Sequence, residues 1–564
     1  MEVVGGVEVI LSAVVIQSLH LPLLSHISFA QAVNLVVVLT MATRPISGPD
    51  SLAPKFEDGS LLDFLASDHL KTLKDSVVGG SGLAASGLAV TITWGTICSG
   101  SEVMLLILLA MTVAYRGAGL ELTFKHGFSC ESDPKKRDWI QSLFRELGVQ
   151  EGCLFQQAEH MGCEKAQCAK HGQKCPVPCV GLLLTGTSCR DFSKAAKKNN
   201  DVLGDHKSLG GSAQTFWGVL NYLRAHVVSM CLFENVDALE ESGGDEHHSY
   251  LQILRSYFYE VGFASMSALL DCQLFALPEE RRRYYIVAVK EVANPILDLG
   301  LRPCEEIFQV LQDFLKRCER TPPCLSQVLL KEDDMRIEKY LNERLAQGAK
   351  ETQYNVAASI STFRGEGLVW GATIAEDSVW ASSPWYPTLA KYQRSVLQFS
   401  QAQCASNTMC RDISQSLQRI RYSKIVDDRH VAACQMPGQM VWLEKPECPP
   451  RLQLPIESLI IQGFPVQKVP ELCEQASGPV IASLAGNMMA ATVPLAVLIS
   501  LFESAQWRKG VVVGARTVSH GCVDEALRCF EISTGVVENE EQRSDDSRVK
   551  TLKRRRFVLN NTAY

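Results

Sequence analysis

The sequence lacks a surplus of positive charge and a regular cysteine framework. Its 55 lysines and arginines face 62 aspartates and glutamates, which gives a formal net charge of −7. A nucleic-acid-binding protein with this balance needs a local basic patch instead of an overall positive field. The 20 cysteines are scattered over 564 residues. Scattered cysteines in a long chain are typical of a reducing compartment, so we expect an intracellular protein with free thiols.

The chain also lacks an uninterrupted apolar run of membrane-spanning length. Residues 1–42 are unusually apolar, but charged and polar residues interrupt them, and the first Lys or Arg is Arg44. A spanning helix needs about 20 predominantly apolar residues, and a signal peptide needs an early positive charge. We therefore expect no membrane association. We predict a poorly structured extension over 1–88, with a linker at 43–60 and a short amphipathic helix at 61–75.

Short apolar runs alternate with helical periods in the next two hundred residues. The runs that predict strands are 89–97, 125–131, 153–155, 180–184 and 227–236. Apolar residues at helical spacing predict helices over 103–115 and 214–223. This alternation is typical of an α/β fold with a parallel sheet, in which functional residues lie at the carboxyl ends of strands.

A thiol and an acid follow two of these strands. Cys189 comes shortly after the run 180–184, and Glu234 lies near the end of the run 227–236. Two parallel neighbours end at the same edge of a sheet, so the two side chains are predicted to meet there. A thiol in that position can act as a nucleophile, although a buried structural cysteine is the commoner role of a single cysteine.

Five short motifs occur in one fixed order along the chain. They are Ser-Cys-Arg-Asp-Phe-Ser at 188–193, Glu-Asn-Val at 234–236, Glu-Glu-Arg-Arg-Arg at 279–283, Gln-Gly-Phe-Pro at 462–465 and Gly-Asn at 486–487. Taken together they resemble the C5 cytosine DNA methyltransferase family, over roughly 90–290 and 450–500. The resemblance implies a Rossmann-like, S-adenosylmethionine-dependent methyltransferase domain with a smaller target-recognition lobe.

The resemblance also implies a reaction, methyl transfer to C5 of cytosine in DNA through a covalent cysteine adduct. Cys189 is implied as the nucleophile, Glu234 as the acid at N3, and Arg281 and Arg283 as cations that hold the base and its phosphate. The base must leave the duplex to reach them. Attack requires a thiolate, so we expect the loop to lower the thiol's pKa. Ser188 replaces the family's proline. A non-catalytic nucleic-acid-binding relative and an RNA cytosine methyltransferase remain alternatives.

The turn after the first strand is implied to hold S-adenosylmethionine. It consists of Cys98, Ser99, Gly100, Ser101 and Glu102. Gly100 matches the family's Phe-x-Gly-x-Gly-Gly motif, whereas Glu102 and Val103 replace its later glycines. Glu131 is implied as the ribose-binding acid, with Asp133 as an alternative, and Asn487 is implied to close the pocket. Gln157 stands near a position where the family usually has an aspartate.

Cysteines and histidines are concentrated just before the catalytic strand. They are Cys163, Cys168, Cys175 and Cys179, with His160 and His171. Structural zinc sites prefer pairs of ligands with about two residues between them. The four cysteines do not follow that spacing, so we expect a surface insertion with reduced thiols and no metal.

The motifs divide the chain into five predicted parts. Residues 1–88 are the N-terminal extension, 89–290 the first part of the catalytic domain, 291–450 the target-recognition-like lobe, 451–510 the closing part, and 511–564 a C-terminal extension. The last part carries a basic tail, Lys-Thr-Leu-Lys-Arg-Arg-Arg. That tail predicts a nuclear-import signal or a phosphate-binding patch, so we expect nuclear localisation.

Overall fold

The structure is a computed structural model. It describes residues 49–74, 82–83, 89–189, 192, 211–240, 249–292, 294–349, 356–365, 367, 369, 379–403, 408–415, 417, 420–445 and 448–508. Residues 1–48 of the extension predicted over 1–88, the basic tail, and Arg190 of the motif at 188–193 lie outside these residues. All the described residues fall in one compact unit.

The helices and strands of this unit are numbered in chain order. The helices are α1 (Pro49–Glu57), α2 (Leu61–Lys74), α3 (Val103–Gly117), α4 (Pro134–Glu146), α5 (Gly211–Ala225), α6 (Tyr250–Glu260), α7 (Cys304–Arg317), α8 (Leu325–Val328), α9 (Met335–Gln347), α10 (Val356–Gly365), α11 (Lys391–Gln403), α12 (Pro455–Ile461), α13 (Pro470–Gln475), α14 (Gly478–Asn487) and α15 (Thr492–Ser504). The strands are β1 (Val90–Ile97), β2 (Leu122–Cys130), β3 (Cys153–Phe155), β4 (Lys165–Gln167), β5 (Lys174–Pro176), β6 (Leu182–Thr185), β7 (Met230–Val236), β8 (Phe263–Asp271), β9 (Glu279–Glu280), β10 (Arg282–Lys290), β11 (Cys410–Asp412), β12 (Lys424–Val426), β13 (Arg429–Ala433), β14 (Val441–Leu443) and β15 (Arg451–Leu452).

A central sheet of seven strands positions the functional residues. Its order is β3-β2-β1-β6-β7-β10-β8. The pairs from β3 to β7 are parallel, and β10 is antiparallel to both of its neighbours. The predicted Rossmann-like α/β fold is confirmed. Strand order reverses between β1 and β6, and doubly wound sheets bind ligands outside the carboxyl ends of strands at such a reversal.

The two N-terminal helices correct the prediction for residues 49–74. Residues 49–57 were predicted as part of a linker, but they form α1, because Pro49 occupies the start of the helix, where its missing N–H costs nothing. The predicted helix at 61–75 is confirmed as α2, and its apolar face packs against α3 and α15. Both helices therefore contribute to the buried core, and the prediction of a poorly structured extension over 1–88 is wrong for residues 49–74.

Two helices in the core are apolar enough to resemble membrane segments. Within the described ranges no single helix has the length and apolar character of a membrane span, although α14 and α15 reach that length as a pair bent by 41°. Every residue of α15 is buried, and α15 contacts α7, α2 and α3. Its apolar sequence is thus accounted for by packing inside the protein.

Two small sheets lie in the second half of the described chain. One has the order β11-β14-β15 and the other β12-β13-β9. The second sheet is joined directly to the central one, because Arg281 alone separates β9 from β10. Helix α7, which falls in the range predicted as the target-recognition-like lobe, packs against α15 and α2. The lobe boundaries at 291 and 450 stay a prediction.

Candidate active site

The loop that carries Cys189 leaves the carboxyl end of β6. Thr185, the last residue of β6, pairs with Phe233 of the parallel strand β7, so Glu234 follows at the same edge. Asn235 fixes the loop to β7, because its Nδ2 donates to the carbonyl of Thr187 at 3.2 Å and to its Oγ1 at 3.1 Å. Cys189 itself is half-buried. The predicted meeting of the two strand ends is confirmed.

Glu234 is a buried carboxyl with an unsatisfied oxygen. Its Oε1 lies 3.3 Å from Nε of Arg283, which forms an ion pair. That oxygen nevertheless has no partner with hydrogen-bond geometry among the described residues. Burial raises the pKa of Glu234, and the guanidinium groups of Arg283 and Arg281 oppose that rise. The site therefore contains an acid that keeps its proton to a higher pH than a free glutamate does, and one of its oxygens lacks a hydrogen-bond partner among the described residues.

The pKa of the Cys189 thiol departs from the expectation. Burial raises it, the carboxylate of Glu234 raises it further, and Arg283 and Arg281 lower it. The expected lowering is thus wrong for the described residues, because loss of water around the sulfur outweighs the two cations. Protonation of Glu234 would remove one of the two causes of the rise, so the states of the acid and the thiol are linked.

The two arginines have different environments. Arg283 faces Glu234, as described above. Arg281 is buried and donates to two backbone carbonyls, from Nη1 to Gln435 at 3.2 Å and from Nη2 to Met488 at 2.7 Å. Arg281 therefore ties the start of β10 to two later segments of the chain. Its placement indicates a positioning residue behind Arg283.

The cofactor residues predicted from the sequence gather at the end of β1. The backbone N–H of Gly100 donates to Oε2 of Glu131 at 3.0 Å. A Cβ built on Gly100 would lie 3.9 Å from the carbonyl oxygen of Asn487. Oε1 of Glu131 accepts from the N–H of Asp133 at 2.9 Å. Asp133 in turn caps α4 by accepting from Lys135 N, so the alternative ribose acid serves as a helix cap.

A cleft lies between this turn and the catalytic loop. Its lining includes Cys98, Ser99 and Ser101 on one side, and Gly186, Asn487 and Met488 on the other. Gly186 also lies next to the catalytic acid, because a Cβ there would be 3.3 Å from Oε2 of Glu234. The cleft therefore extends from the turn at β1 to Gly186, which lies beside the acid of β7.

The turn keeps a glycine-like backbone although it has lost two glycines. The φ angles of Cys98, Gly100 and Glu102 are 60°, 56° and 54°, all in the left-handed region that favours glycine. Oε2 of Glu102 accepts from Oγ1 of Thr96 at 3.0 Å. Burial raises the pKa of Glu102 to about 7. The turn thus carries a buried acid, Glu102, at a position whose backbone is in the left-handed region.

Glu102→Gln should stabilise the protein at alkaline pH and not at acidic pH. The pKa of Glu102 is raised from 4.5 to about 7 in the folded chain, so its favourable contribution is present below pH 4.5 and lost as the pH rises through 7. The neutral amide escapes a cost of at most about 3 kcal/mol at pH 8. Denaturant unfolding at pH 5 and pH 8 measures the difference, with the exposed Glu159→Gln as control. An equal gain at both pH values would contradict the prediction.

Two residues that shape the site, Trp139 and Cys434, belong to no motif in the sequence. Nε1 of Trp139 in α4 donates to the carbonyl of Ser101 at 3.0 Å and supports the cofactor turn. Sγ of Cys434 lies 3.6 Å from Nη1 of Arg281 and 3.6 Å from Nη2 of Arg283. Neither residue could be found from spacing, because Trp139 looks like any apolar helix residue and Cys434 lies in a stretch without motifs.

The last two motifs, Gln-Gly-Phe-Pro and Gly-Asn, hold neighbouring segments together near the cleft. Nε2 of Gln462 donates to the carbonyl of Ala485 at 2.6 Å, which joins the Gln-Gly-Phe-Pro turn to α14. A Cβ on Gly486 would lie 2.0 Å from the backbone nitrogen of Pro437. Only glycine permits that approach. Asn487 uses its side-chain Nδ2 to donate to Ser483 O at 2.7 Å, so its backbone is the part that lies beside Gly100.

The chain is similar in sequence to two fungal DNA methyltransferases. The chain is 27% identical over 438 residues to the DNA (cytosine-5-)-methyltransferase DMT5 of Cryptococcus neoformans, a match that covers 73% of this chain and 17% of that protein. It is 24% identical over 247 residues to DMT5 of Verticillium dahliae, covering 36% of this chain and 10% of that protein. The chain thus spans less than a fifth of the length of these relatives.

The chain is also similar, at low identity, to methyltransferases of known structure. The Schizosaccharomyces pombe Dnmt2 methyltransferase is 14% identical with a TM-score of 0.38, and covers 73% of this chain and 98% of its own. The Entamoeba histolytica methyltransferase EhMeth is 10% identical with a TM-score of 0.37, and covers the same shares. The family model for C-5 cytosine-specific DNA methylases matches residues 159–498. Since that match covers more than half of the 564 residues, the chain belongs to the C-5 cytosine-specific DNA methylase family.

Proposed function

We propose that this chain transfers a methyl group from S-adenosylmethionine to C5 of cytosine in DNA. The observation that carries the proposal is the meeting of Cys189, Glu234 and Arg283 at one sheet edge, beside the cleft at the end of β1. A nucleophile, an acid with a raised pKa and a cation are the groups that this reaction needs from the protein. The family membership and the DMT5 relatives support the same reaction.

The residues around the cleft suit S-adenosylmethionine. Glu131 offers a carboxylate whose two oxygens each accept one backbone N–H and keep further lone pairs for ribose hydroxyls. Ser99 and Ser101 provide polar groups, whereas Val103 and Met104 provide apolar surface. When bound, the cofactor supplies an electrophilic methyl group on a positively charged sulfur. The residues that would hold it are those of the turn at 98–102, with Glu131 and the backbone of Asn487.

Cys189 and Glu234 perform the two steps that activate cytosine. The thiolate of Cys189 forms a bond to C6, the electron pair of the C5–C6 double bond moves into the C4–C5 bond, and the pair of the C4–N3 double bond moves to N3, which takes a proton from Glu234. C5 would then take the methyl group that the bound cofactor supplies, with cleavage of its bond to the cofactor sulfur, and the proton on N3 returns to Glu234. Loss of the C5 proton to water and departure of the thiolate from C6 restore the C5–C6 double bond. Arg283 holds the Glu234 side chain in position before the proton transfer to N3, and it neutralises the negative charge of the Glu234 carboxylate afterwards.

Transfer of a labelled methyl group tests the proposal. Protein incubated with labelled S-adenosylmethionine and cytosine-containing duplex DNA should produce labelled 5-methylcytosine. A parallel reaction contains RNA of the same sequence. Faster labelling of RNA would replace the DNA proposal by the RNA alternative. Binding of cofactor and DNA without any transfer would identify a non-catalytic relative and overturn the proposal.

Glu131→Ala should weaken binding of S-adenosylmethionine about tenfold or more. The variant removes a carboxylate that can accept from the ribose and that also holds the N–H of Gly100 at 3.0 Å. Titration calorimetry measures the affinity. Glu159→Ala is the matched control, because Glu159 is an exposed acid near the same edge of the sheet. Unchanged affinity in Glu131→Ala would remove Glu131 from the site.

A further inference from the structure

A cluster of four metal-ligating side chains lies away from the active site, at the edge strand of the central sheet. It consists of Cys153, Cys168, His171 and Cys175, whose ligand atoms all lie within 4.8 Å of one another. From the sequence we expected no metal among Cys163, Cys168, Cys175 and Cys179, with His160 and His171. The fold keeps Cys168, His171 and Cys175 of that set together and adds Cys153 from β3.

The distances in the cluster match those of a tetrahedral metal centre. Nδ1 of His171 lies 3.3 Å from Sγ of Cys168, 3.3 Å from Sγ of Cys175 and 3.8 Å from Sγ of Cys153. Zinc bonds of about 2.3 Å to sulfur and 2.0–2.1 Å to nitrogen, at the tetrahedral angle, place sulfur and nitrogen about 3.6 Å apart. The four side chains therefore surround one point at the spacing that zinc requires.

Backbone pairing explains how the four residues come together. β4 and β5 form an antiparallel hairpin, and the N–H of Cys168 donates to Gln173 O at 2.9 Å to close its turn. Gly172, with a φ of 67°, allows the chain to reverse there. The hairpin is attached to β3, because the N–H of Ala169 donates to Leu154 O at 2.7 Å. This attachment carries Cys168 to Cys153.

The chemistry of the ligands selects the metal. Three sulfurs and one imidazole nitrogen are a donor set that zinc binds in structural sites, and two of the ligands, Cys168 and His171, have two residues between them as in a zinc knuckle. Cys168 and Cys175 are buried, whereas His171 is exposed and closes the cluster toward solvent. With four protein ligands no position is left for a substrate, which is typical of a structural site.

We propose that Cys153, Cys168, His171 and Cys175 bind one structural Zn²⁺ ion that fixes the insertion between β3 and β6 to the edge of the sheet. Binding displaces the thiol protons to solvent and involves no change of oxidation state. The N–H of Glu131 donates to Phe155 O at 3.1 Å, so the strand that carries Cys153 also supports the cofactor edge. The proposal does not depend on the proposed methyl transfer, since a metal-stabilised edge would serve a non-catalytic relative equally.

Metal content tests the site directly. The full chain is purified under reducing conditions without chelator. Inductively coupled plasma mass spectrometry should then find about one equivalent of zinc per chain. Cys175→Ser and His171→Gln should lose most of it. Cys163→Ser is the matched control, because Cys163 lies in the same insertion but is exposed and outside the cluster. Equal loss of zinc in the control would overturn the assignment of these ligands.

Cobalt substitution keeps the test valid if the variants fail to fold. Wild-type protein treated with chelator and reductant, then titrated with Co²⁺, should develop the visible bands of tetrahedral cobalt with thiolate ligands and saturate at about one equivalent. Its thermal midpoint should fall on chelation and recover when Zn²⁺ is added. Wild-type protein that contains no zinc and gives no such spectrum would overturn the proposal. A disulfide between Cys168 and Cys175 under reducing conditions would do the same.

Discussion

Cys189→Ser should abolish the covalent complex with duplex DNA that contains 5-fluorocytosine, and should lower methyl transfer by about three orders of magnitude or more. Serine keeps the size of the side chain but its hydroxyl is a far weaker nucleophile than a thiolate. Fluorine at C5 cannot leave as a proton does, so the bond between Sγ and C6 persists in the wild-type protein and is detected as a shifted band on a denaturing gel.

The matched control for this experiment is Cys163→Ser, which removes an exposed thiol of the insertion between β3 and β6. It should trap DNA as the wild-type protein does. S-adenosylmethionine should bind Cys189→Ser with unchanged affinity, which separates loss of chemistry from loss of folding. Wild-type protein that binds cofactor and DNA but gives no adduct would exclude Cys189 as the nucleophile.

Glu234→Gln should move two properties of the site in opposite directions. Methyl transfer should fall by about 10²–10⁴-fold, because an amide cannot give N3 the proton it needs. The thiol of Cys189 should become more reactive, because the Glu234 carboxylate is one of the causes that raise its pKa. Few changes to an active site make the nucleophile stronger and the enzyme slower.

Two measurements on the same preparation check that pair of effects. Single-turnover methyl transfer gives the first, and alkylation by iodoacetamide, followed peptide by peptide in the mass spectrometer, gives the second. The peptide that contains Cys163 is the internal reference, since its alkylation rate should not change. Slower alkylation of Cys189 in Glu234→Gln would show that the carboxylate assists thiolate formation, contrary to the electrostatics described here.

The strands and their chemistry could be predicted because the signal is local. A short apolar run followed by Gly186 and Cys189 indicates a strand end in any arrangement of the sheet, and the same holds for Glu234. The position of Glu131 beside Gly100 could likewise be predicted, because the first two strands of this fold are parallel neighbours. The positions of these residues were thus local predictions, whereas their roles depended on the five motifs taken in order along the chain.

Contacts between distant segments could not be predicted. Arg281 binds the carbonyls of Gln435 and Met488, and since every residue has a carbonyl, no pattern identifies those two. The group formed by Cys153, Cys168, His171 and Cys175 could not be predicted for a related reason, because Cys153 lies in β3, whereas the other three residues lie in the hairpin of β4 and β5. The rise of the Cys189 pKa was missed because burial depends on the whole fold, whereas the charges beside the thiol can be read along the chain.

A single residue, Arg281, connects β9 to β10, so the register of one strand fixes the register of the other. β9 pairs with β13, from Ala432↔Glu279 to Ala433↔Glu280, and β10 begins at Arg282. An added residue at Arg281 would shift β10 by one position and turn each of its side chains to the opposite face of the sheet. The side chain of a neighbouring residue would then replace the Arg283 guanidinium beside Glu234. Evolution can therefore lengthen the loops on either side of this connection, but the connection itself has to keep its length.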